Sequence, residues 1–449
     1  MVFYGILTKH YVFTKFLFFK MKTCCFCEVF ILQSENLLFL EIINVILRMR
    51  YFNMIKRKQY LEKLEKLKDQ QIIKVITGVR RCGKSTLFLQ FQNHLRECGV
   101  SEEQIININF EDISFEHLLD YKLLYGYLEK KLIPQKMTYI FLDEIQTVPE
   151  FQKAINSLFL KKNIDIYITG SNAHMLSGEL ATLLSGRYIE IGMLPLSFQE
   201  FYELVGGDLR DTWNLYFRKG GFPYIADIND NDIRRDYLEG LYNTVLLKDI
   251  IARKNFQNVA LLKSIVSFLF DNIGNIVSSK KISDTLTSFG RKTTSITVER
   301  YINALTEAFI LYKVGRYDIK GKQHLKSLEK YYLVDISLRH LLLGDRNADI
   351  GHILENIVFL ELIRRGYHVS IGKVGDLEID FIAERDDDKI YYQVSATILD
   401  ENTFARELAP LLKTNDSYPK YIISMDEVPL SKDGIKQVNI IDFLLNDHR

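Results

Sequence analysis

The chain has 449 residues and carries 58 Lys and Arg against 57 Asp and Glu, so neither a basic nucleic-acid coat nor an acidic tail describes it as a whole. Charged residues at 26% and hydrophobic ones at 47% are globular proportions and exclude a disordered chain. Five Cys, an odd number in so long a chain, argue against a disulfide scaffold and for a reducing, cytoplasmic setting.

Residues 1–53 read differently from the rest. Phe/Leu/Ile runs such as Tyr11–Phe19 are interleaved with Lys9, Lys15, Lys20 and Lys22, and Glu28, Glu35 and Glu41 interrupt the best windows. No stretch reaches the ~18–20 uninterrupted apolar residues of a membrane span, and the charges are not arranged as in a signal peptide. No stable membrane insertion is expected. Cys24, Cys25 and Cys27 lack a second Cys/His pair at metal spacing. The segment reads as appended or mis-started, with the working protein beginning near Met54.

Lys74-Val-Ile-Thr is a short, partly β-branched run that predicts a buried strand. It enters Gly78-Val-Arg-Arg-Cys-Gly-Lys-Ser-Thr, a G-x-x-x-x-G-K-[ST] segment, and a helical pattern follows over Thr86–Glu97. Strand, glycine loop and helix in this order form a phosphate cradle, because glycines let successive backbone N–H groups turn toward one anion. The helix N-terminus adds its positive dipole end. The candidate nucleotide-binding residues are Gly78, Arg81, Cys82, Gly83, Lys84, Ser85 and Thr86. Lys84 is placed for the β- and γ-phosphates and the Ser85 hydroxyl for Mg²⁺. Arg80 and Arg81 lie in the loop, and the sequence does not separate a nucleotide contact from a partner contact.

A cradle of this kind needs an acid for the metal. Thr138-Tyr-Ile-Phe-Leu-Asp-Glu is an apolar strand ending in two carboxylates. Asp143 is the expected metal ligand and Glu144 the expected base for the attacking water. Further strands are expected at Ile105–Phe110, Ile164–Asn172 and Arg187–Gly192. Helical patterns separate the strands at Thr86–Glu97, Leu118–Lys131, Glu150–Lys161 and Leu176–Leu184. Five strands alternating with helices predict a parallel sheet covered on both faces.

Taken together, residues 54–449 resemble bacterial and archaeal AAA-plus-type ATPases that carry a C-terminal domain of unknown function. The matching pieces are the 78–85 loop, Phe141-Leu-Asp-Glu-Ile-Gln, Ile168-Thr-Gly-Ser-Asn, Leu184-Ser-Gly-Arg-Tyr, Leu194-Pro-Leu-Ser-Phe, Gly220-Gly-Phe-Pro and Lys330-Tyr-Tyr-Leu-Val-Asp. The resemblance implies a polar sensor at Ser171 or Asn172 beside the γ-phosphate. It also implies an arginine finger at Arg187 reaching a neighbouring copy, where a forked cation would meet transition-state charge.

Residues 204–255 are helical in pattern and read as a small lid over the nucleotide. Arg218, Arg234 and Arg253 are candidates there for a further nucleotide-sensing arginine, and the charges do not choose among them. Residues 256–347 follow with helix candidates at Leu261–Phe270, Val277–Leu286 and Thr297–Thr306. A strand pair at Phe309–Tyr317 and Lys330–Val334 comes after, which is the order of a winged helix. Residues 252–348 hold 16 Lys/Arg and 8 Asp/Glu. Arg291, Lys292, Arg300, Lys313, Arg316, Lys320 and Lys322 are placed to meet double-stranded DNA. A protein-docking winged helix with a solvated basic face is the alternative.

Residues 349–449 reverse the balance, with 11 Lys/Arg and 19 Asp/Glu. A helix from Asp349 stops at Gly366, and strands follow at Leu377–Ala383 and Ile390–Ala396. This order resembles the PD-(D/E)xK nuclease fold, which implies a Mg²⁺ site at Glu355, Asp380 and Gln393. The lysine of that pattern is here Ser395, which predicts a module that kept the fold and lost cutting.

The expected fold class is therefore α/β: a P-loop NTPase sheet with a helical lid, then a winged-helix domain, then a small restriction-endonuclease-like domain. The expected function is Mg²⁺-dependent ATP hydrolysis, with ATP and Mg²⁺ as cofactors and Glu144, Arg187 and Asn172 as catalytic residues. The alternatives are a nucleotide-switched DNA-binding or regulatory protein with little turnover, and an ATP-coupled nuclease. Double-stranded DNA, a second copy of the chain and an unidentified protein partner are the expected macromolecular partners.

Overall fold

A computed structural model describes residues 55–171, 184, 186–254, 256–344 and 350–446. Residues 1–54, Asn172 and all but Leu184 of the helix expected at Leu176–Leu184 fall outside the described residues.

The chain opens with α1 (Lys58–Leu67), β1 (Ile73–Thr77), α2 (Lys84–Glu97) and β2 (Ile105–Asn109). It continues through α3 (Tyr121–Lys131), β3 (Thr138–Asp143), α4 (Phe151–Phe159), β4 (Ile164–Gly170) and β5 (Tyr188–Gly192). All pairings in this sheet are parallel, in the order β2-β3-β4-β1-β5. Every residue of β1, β3 and β4 is buried, as expected of central strands with helices on both faces. The period of two divides their side chains between two apolar layers. Phe141 and Tyr167 stack at 4.7 Å in one layer, beside Phe88 and Phe91 of α2. Ile140, Leu142, Ile166 and Ile168 fill the other. Because β4 lies between β1 and β3, the carboxyl ends of all three strands border one crevice, and this is where the glycine loop and the acid pair emerge.

Helices follow at α5 (Phe198–Val205), α6 (Leu209–Lys219) and α7 (Asn231–Tyr242). The winding widens over Asn243–Ile250 before a last helical turn at Ile251–Lys254. Next come α8 (Val259–Asp271), α9 (Ser279–Ser288), α10 (Ser295–Glu307), β6 (Leu311–Asp318) and β7 (Gln323–Leu333). Side-chain caps start each of the three helices, from Asn258, Ser278 and Thr294.

The remaining elements are α11 (Ser337–Leu343), α12 (Ile350–Arg364), β8 (His368–Val374), β9 (Leu377–Arg385), β10 (Asp388–Val394) and α13 (Glu401–Leu412), then β11 (Lys420–Ser424), β12 (Ser431–Lys432), β13 (Ile435–Asn439) and α14 (Ile440–Leu445). Their six strands join β6 and β7 in an eight-stranded mixed sheet in the order β12-β13-β11-β10-β9-β8-β6-β7. The strand pair expected as a wing is thus the edge of this sheet, joined through parallel pairing of β6 with β8. Helix α12 packs against it, with Phe359 stacked on Tyr332 at 4.5 Å and close to Phe381. Ten consecutive residues of α12, Ile353–Leu362, are buried, which is why Glu355 and Glu361 on this helix need partners inside the protein.

Candidate nucleotide site

Strand β1 ends at Thr77, and the chain then curls. Gly78 adopts φ 147°, and a Cβ there would stand 2.2 Å from the Met193 carbonyl oxygen. Gly83 adopts φ 105° immediately before α2. The Arg81 backbone between them is also left-handed, at φ 67°. Lys84, the first residue of α2, is buried. Its ammonium donates to the Gly78 and Val79 carbonyls at 3.1 and 3.3 Å. Cys82 is fully buried, and burial pushes its thiol up, which leaves it a packing residue rather than a nucleophile.

The two acids arrive from β3. Asp143 is its last residue, and Glu144 follows in a left-handed conformation at φ 53°. Thr169 of β4 bridges the pair: its hydroxyl donates to Asp143 and accepts the Glu144 backbone N–H at 2.9 Å. Burial pushes the Asp143 carboxyl above its ordinary value, against hydrogen bonds from Ser85 and Thr169. Burial would raise Glu144 as well, but its partners outweigh it and hold the carboxylate below its ordinary value. Those partners are the Lys84 ammonium at 3.6 Å, the Gln146 side chain and the Ser171 hydroxyl at 2.8 Å. Arg80, 3.6 Å from Glu111, adds to the positive field on Glu144.

Lys84, Ser85, Asp143, Glu144 and Ser171 therefore meet in one place, although they come from three elements and the turns after them. Ser85 is an exposed residue, and its hydroxyl is hydrogen-bonded to the buried Asp143. Two hard oxygen donors beside one another suit Mg²⁺, and an ammonium beside a glycine cradle suits phosphate. Thr86, half-buried, is the next residue of α2. The residues present fit a magnesium–triphosphate group.

Comparison with known proteins shows the family. Residues 70–202 match the family described as AAA domain, and residues 210–349 match a domain of unknown function. An uncharacterized protein of Haemophilus influenzae is 41% identical over 399 residues, which is 87% of this chain and 99% of that relative. The chain belongs to the AAA-type P-loop ATPases with a C-terminal domain of unknown function. An uncharacterized protein of Methanocaldococcus jannaschii is 31% identical over 329 residues, 69% of this chain and 71% of its own. Among solved structures, a Walker-type ATPase of Pyrococcus abyssi is similar at 16% identity and a TM-score of 0.45, covering 64% of this chain and 96% of that one.

Not every expected site residue of this AAA-type chain reaches the crevice. Arg187 precedes β5, whose first residue Tyr188 pairs with Ile73 at the start of β1. It therefore sits at the end of the sheet opposite Lys84. Its exposed guanidinium lies over the Phe159 ring at 5.4 Å. Arg81 is exposed and close enough to Tyr237 of α7 to influence its hydroxyl. The Arg253 side chain and Asn172 lie outside the described residues.

Three residues that matter here escaped sequence reasoning. Thr169 was hidden inside a strand run. Arg57 precedes α1 and has no motif around it. Its buried guanidinium donates to the Cys82 carbonyl of the loop at 3.1 Å, to the Leu194 carbonyl at 2.7 Å and to Glu200 at 2.8 Å. Asp335 closes the quoted Lys330–Asp335 segment and ties three motifs together. It accepts the Gly221 N–H at 2.7 Å and the Ser337 N–H at 2.9 Å. Gly221 in turn accepts the Leu196 N–H at 2.7 Å. The signal lies in the three motif segments themselves, but sequence spacing does not reveal which segments touch.

Several of the expected DNA-facing cations have partners within the chain. Arg291 donates to the Ala260 carbonyl at 2.6 Å, Lys313 pairs with Glu329 at 2.7 Å, and Arg316 lies 3.9 Å from Glu378. Lys292, Arg300, Lys320 and Lys322 are exposed. Among the described residues no helix is long and apolar enough to cross a membrane.

Proposed function

We propose that this chain binds ATP with Mg²⁺ and hydrolyses its terminal phosphoanhydride bond. The observation that carries this reading is the convergence of Lys84, Ser85, Asp143, Glu144 and Ser171 at the carboxyl ends of β1, β3 and β4. The Ser85 hydroxyl and the Asp143 carboxylate would hold magnesium, which when bound would neutralise phosphoryl charge. The backbone N–H groups of residues 79–84 cradle the phosphates, and the Lys84 ammonium leaves the Gly78 and Val79 carbonyls for the anion.

Glu144 is the base. Its carboxylate is already ionised, and Ser171 and Gln146 fix the direction of one oxygen. It takes the proton of the attacking water as the water oxygen bonds to the γ-phosphorus and the bond from that phosphorus to the β,γ-bridging oxygen breaks, with ADP as the leaving group. Phosphoryl transfer is limited more by position and charge than by proton removal, so Lys84 and the metal ligands carry the larger share. Arg187 faces outward and serves the γ-phosphoryl of a neighbouring copy, as an arginine on the far end of the sheet can act only in trans.

Steady-state phosphate release tests the reading. The wild-type chain is expected to release phosphate from MgATP, and Lys84→Ala to bind no nucleotide and release none. Equal release by both proteins contradicts the assignment. We further propose that double-stranded DNA meets residues 256–347 through the exposed Lys292, Arg300, Lys320 and Lys322. Phosphate release measured with and without duplex, at rising salt, decides this, since phosphate contacts weaken steeply with ionic strength.

A further inference from the structure

The Lys330–Asp335 segment holds a residue that the nucleotide site does not use. Lys330 lies near the end of β7, with its side chain only 4% exposed. A buried ammonium is costly without counter-charges, and this one has three. Its Nζ is 2.8 Å from Glu355 Oε1 on α12 and 2.9 Å from Glu378 Oε1 on β9. It is 3.6 Å from Asp380 Oδ1, two residues further along β9. Glu355 and Asp380 are two of the three positions at which the nuclease resemblance implies a divalent ion.

The residues do not fit such an ion, because the Lys330 ammonium already lies among the carboxylates and Glu355 Oε1, Asp380 Oδ2 and Gln393 Oε1 already accept hydrogen bonds. Glu355 Oε1 accepts from both Lys330 and the Tyr332 hydroxyl, the latter at 2.6 Å. Around Oε2 lie His352 Nδ1 at 3.7 Å and the backbone of Gly274. That backbone approaches so closely that a Cβ on Gly274 would stand 2.9 Å from Glu355 Oε2. Asp380 Oδ2 accepts the Val394 N–H at 2.9 Å. Gln393 spends its oxygen on the Asp380 N–H at 3.3 Å and its amide nitrogen on Glu407 at 2.8 Å. Ser395 donates to the Thr397 carbonyl at 3.0 Å. Lys330 is thus the cation at the centre of the cluster, with Arg316 beside Glu378 at its edge.

We propose that Lys330 is the resident cation of the C-terminal domain: its ammonium takes the place of a divalent metal, so this domain holds no metal and cleaves no phosphodiester. The lysine that the nuclease pattern lacks at Ser395 comes instead from β7, on the far side of the carboxylates. There it joins β7 to α12 and β9 rather than activating water.

Manganese uptake, followed by the spin-resonance signal of the free ion, tests this on the full chain without nucleotide. Asp143→Asn is introduced throughout to silence the separate metal position at the ATP site. The chain with Lys330 intact is expected to take up no manganese, and its melting temperature to be unchanged by the ion. Lys330→Ala is expected to bind one ion per chain, to melt higher in its presence, and to lose both effects when Asp380→Asn is added. Uptake by the chain with Lys330 intact that disappears with Asp380→Asn overturns the proposal. So does a folded Lys330→Ala variant that binds nothing. Where Lys330→Ala fails to fold, the chain with Lys330 intact and its Asp380→Asn partner still decide the question. Supercoiled plasmid provides an independent readout: cutting by wild type in manganese, lost with Asp380→Asn, also overturns it.

Discussion

At the scale of single residues, the site is made by small differences in what each group is allowed to touch. Asp143 and Glu144 are neighbours in sequence, yet Thr169 and Ser85 hold the first, while Lys84 and Ser171 hold the second. Gly221 shows the same economy of space. A Cβ there would lie 2.4 Å from the Leu196 carbonyl oxygen, so Gly221→Ala is expected to destabilise the fold by about 2–4 kcal/mol. A lowered thermal midpoint checks this, and an unchanged midpoint contradicts it. Asp335, which accepts the Gly221 N–H, is buried, and burial pushes its carboxyl up to about 6 against the hydrogen bonds from Ser337 and Gly221. A folded-state value above the unfolded value of 3.8 means that the folded chain binds the proton more tightly. Its contribution is therefore fullest below that unfolded value and declines as pH rises toward about 6. Melting Asp335→Asn beside wild type across this range is expected to favour the variant progressively as pH rises. A constant difference contradicts the assignment.

At the scale of elements, β1, β3 and β4 were legible because their Val/Ile/Leu/Tyr-rich runs ended in a glycine loop, an acid pair and a Thr-Gly-Ser turn. Buried central strands read as nearly continuous apolar runs, and chemistry collects at their carboxyl ends. The pairing of β6 with β8 was not legible. Both strands look amphipathic in isolation, and their partner choice depends on a connection through α11 and α12 that carries no local signal. Arg57 was illegible for a related reason: its three partners, Cys82, Leu194 and Glu200, are brought to it only by the fold. Removing its guanidinium leaves two buried carbonyls and a nearly buried carboxylate without their donor. Arg57→Ala is accordingly expected to lower stability by about 3–5 kcal/mol, and to raise the KM for ATP several-fold by freeing the loop at Cys82. An unaltered KM in a folded variant rejects the loop-holding role.

At the scale of the whole molecule, the basic 252–348 segment and the acidic 349–449 segment are partly each other's counter-ions. Lys330 and Arg316 of the first meet Glu355, Glu378 and Asp380 of the second. Net charge along the sequence suggested two surfaces of opposite sign, but part of that charge is spent at the seam within one sheet. The proposed role of Arg187 toward a neighbouring copy belongs to this scale too, since the residue lies at the end of the sheet opposite Lys84. A mixture of Arg187→Ala and Glu144→Gln chains is expected to recover part of the phosphate release that each lacks, with the missing arginine alone costing about 10³-fold or more. No recovery, together with full activity of Arg187→Ala, contradicts a finger acting in trans.

The central claim is that the glycine loop and the acid pair form one ATP-hydrolysing crevice, and nucleotide retention by Glu144→Gln tests it most directly. After incubation with MgATP and rapid gel filtration, the variant is expected to carry intact ATP at about one molecule per chain, one crevice holding one triphosphate, while wild type carries ADP. A Glu144→Gln chain that emerges without nucleotide, or that turns ATP over at the wild-type rate, contradicts it.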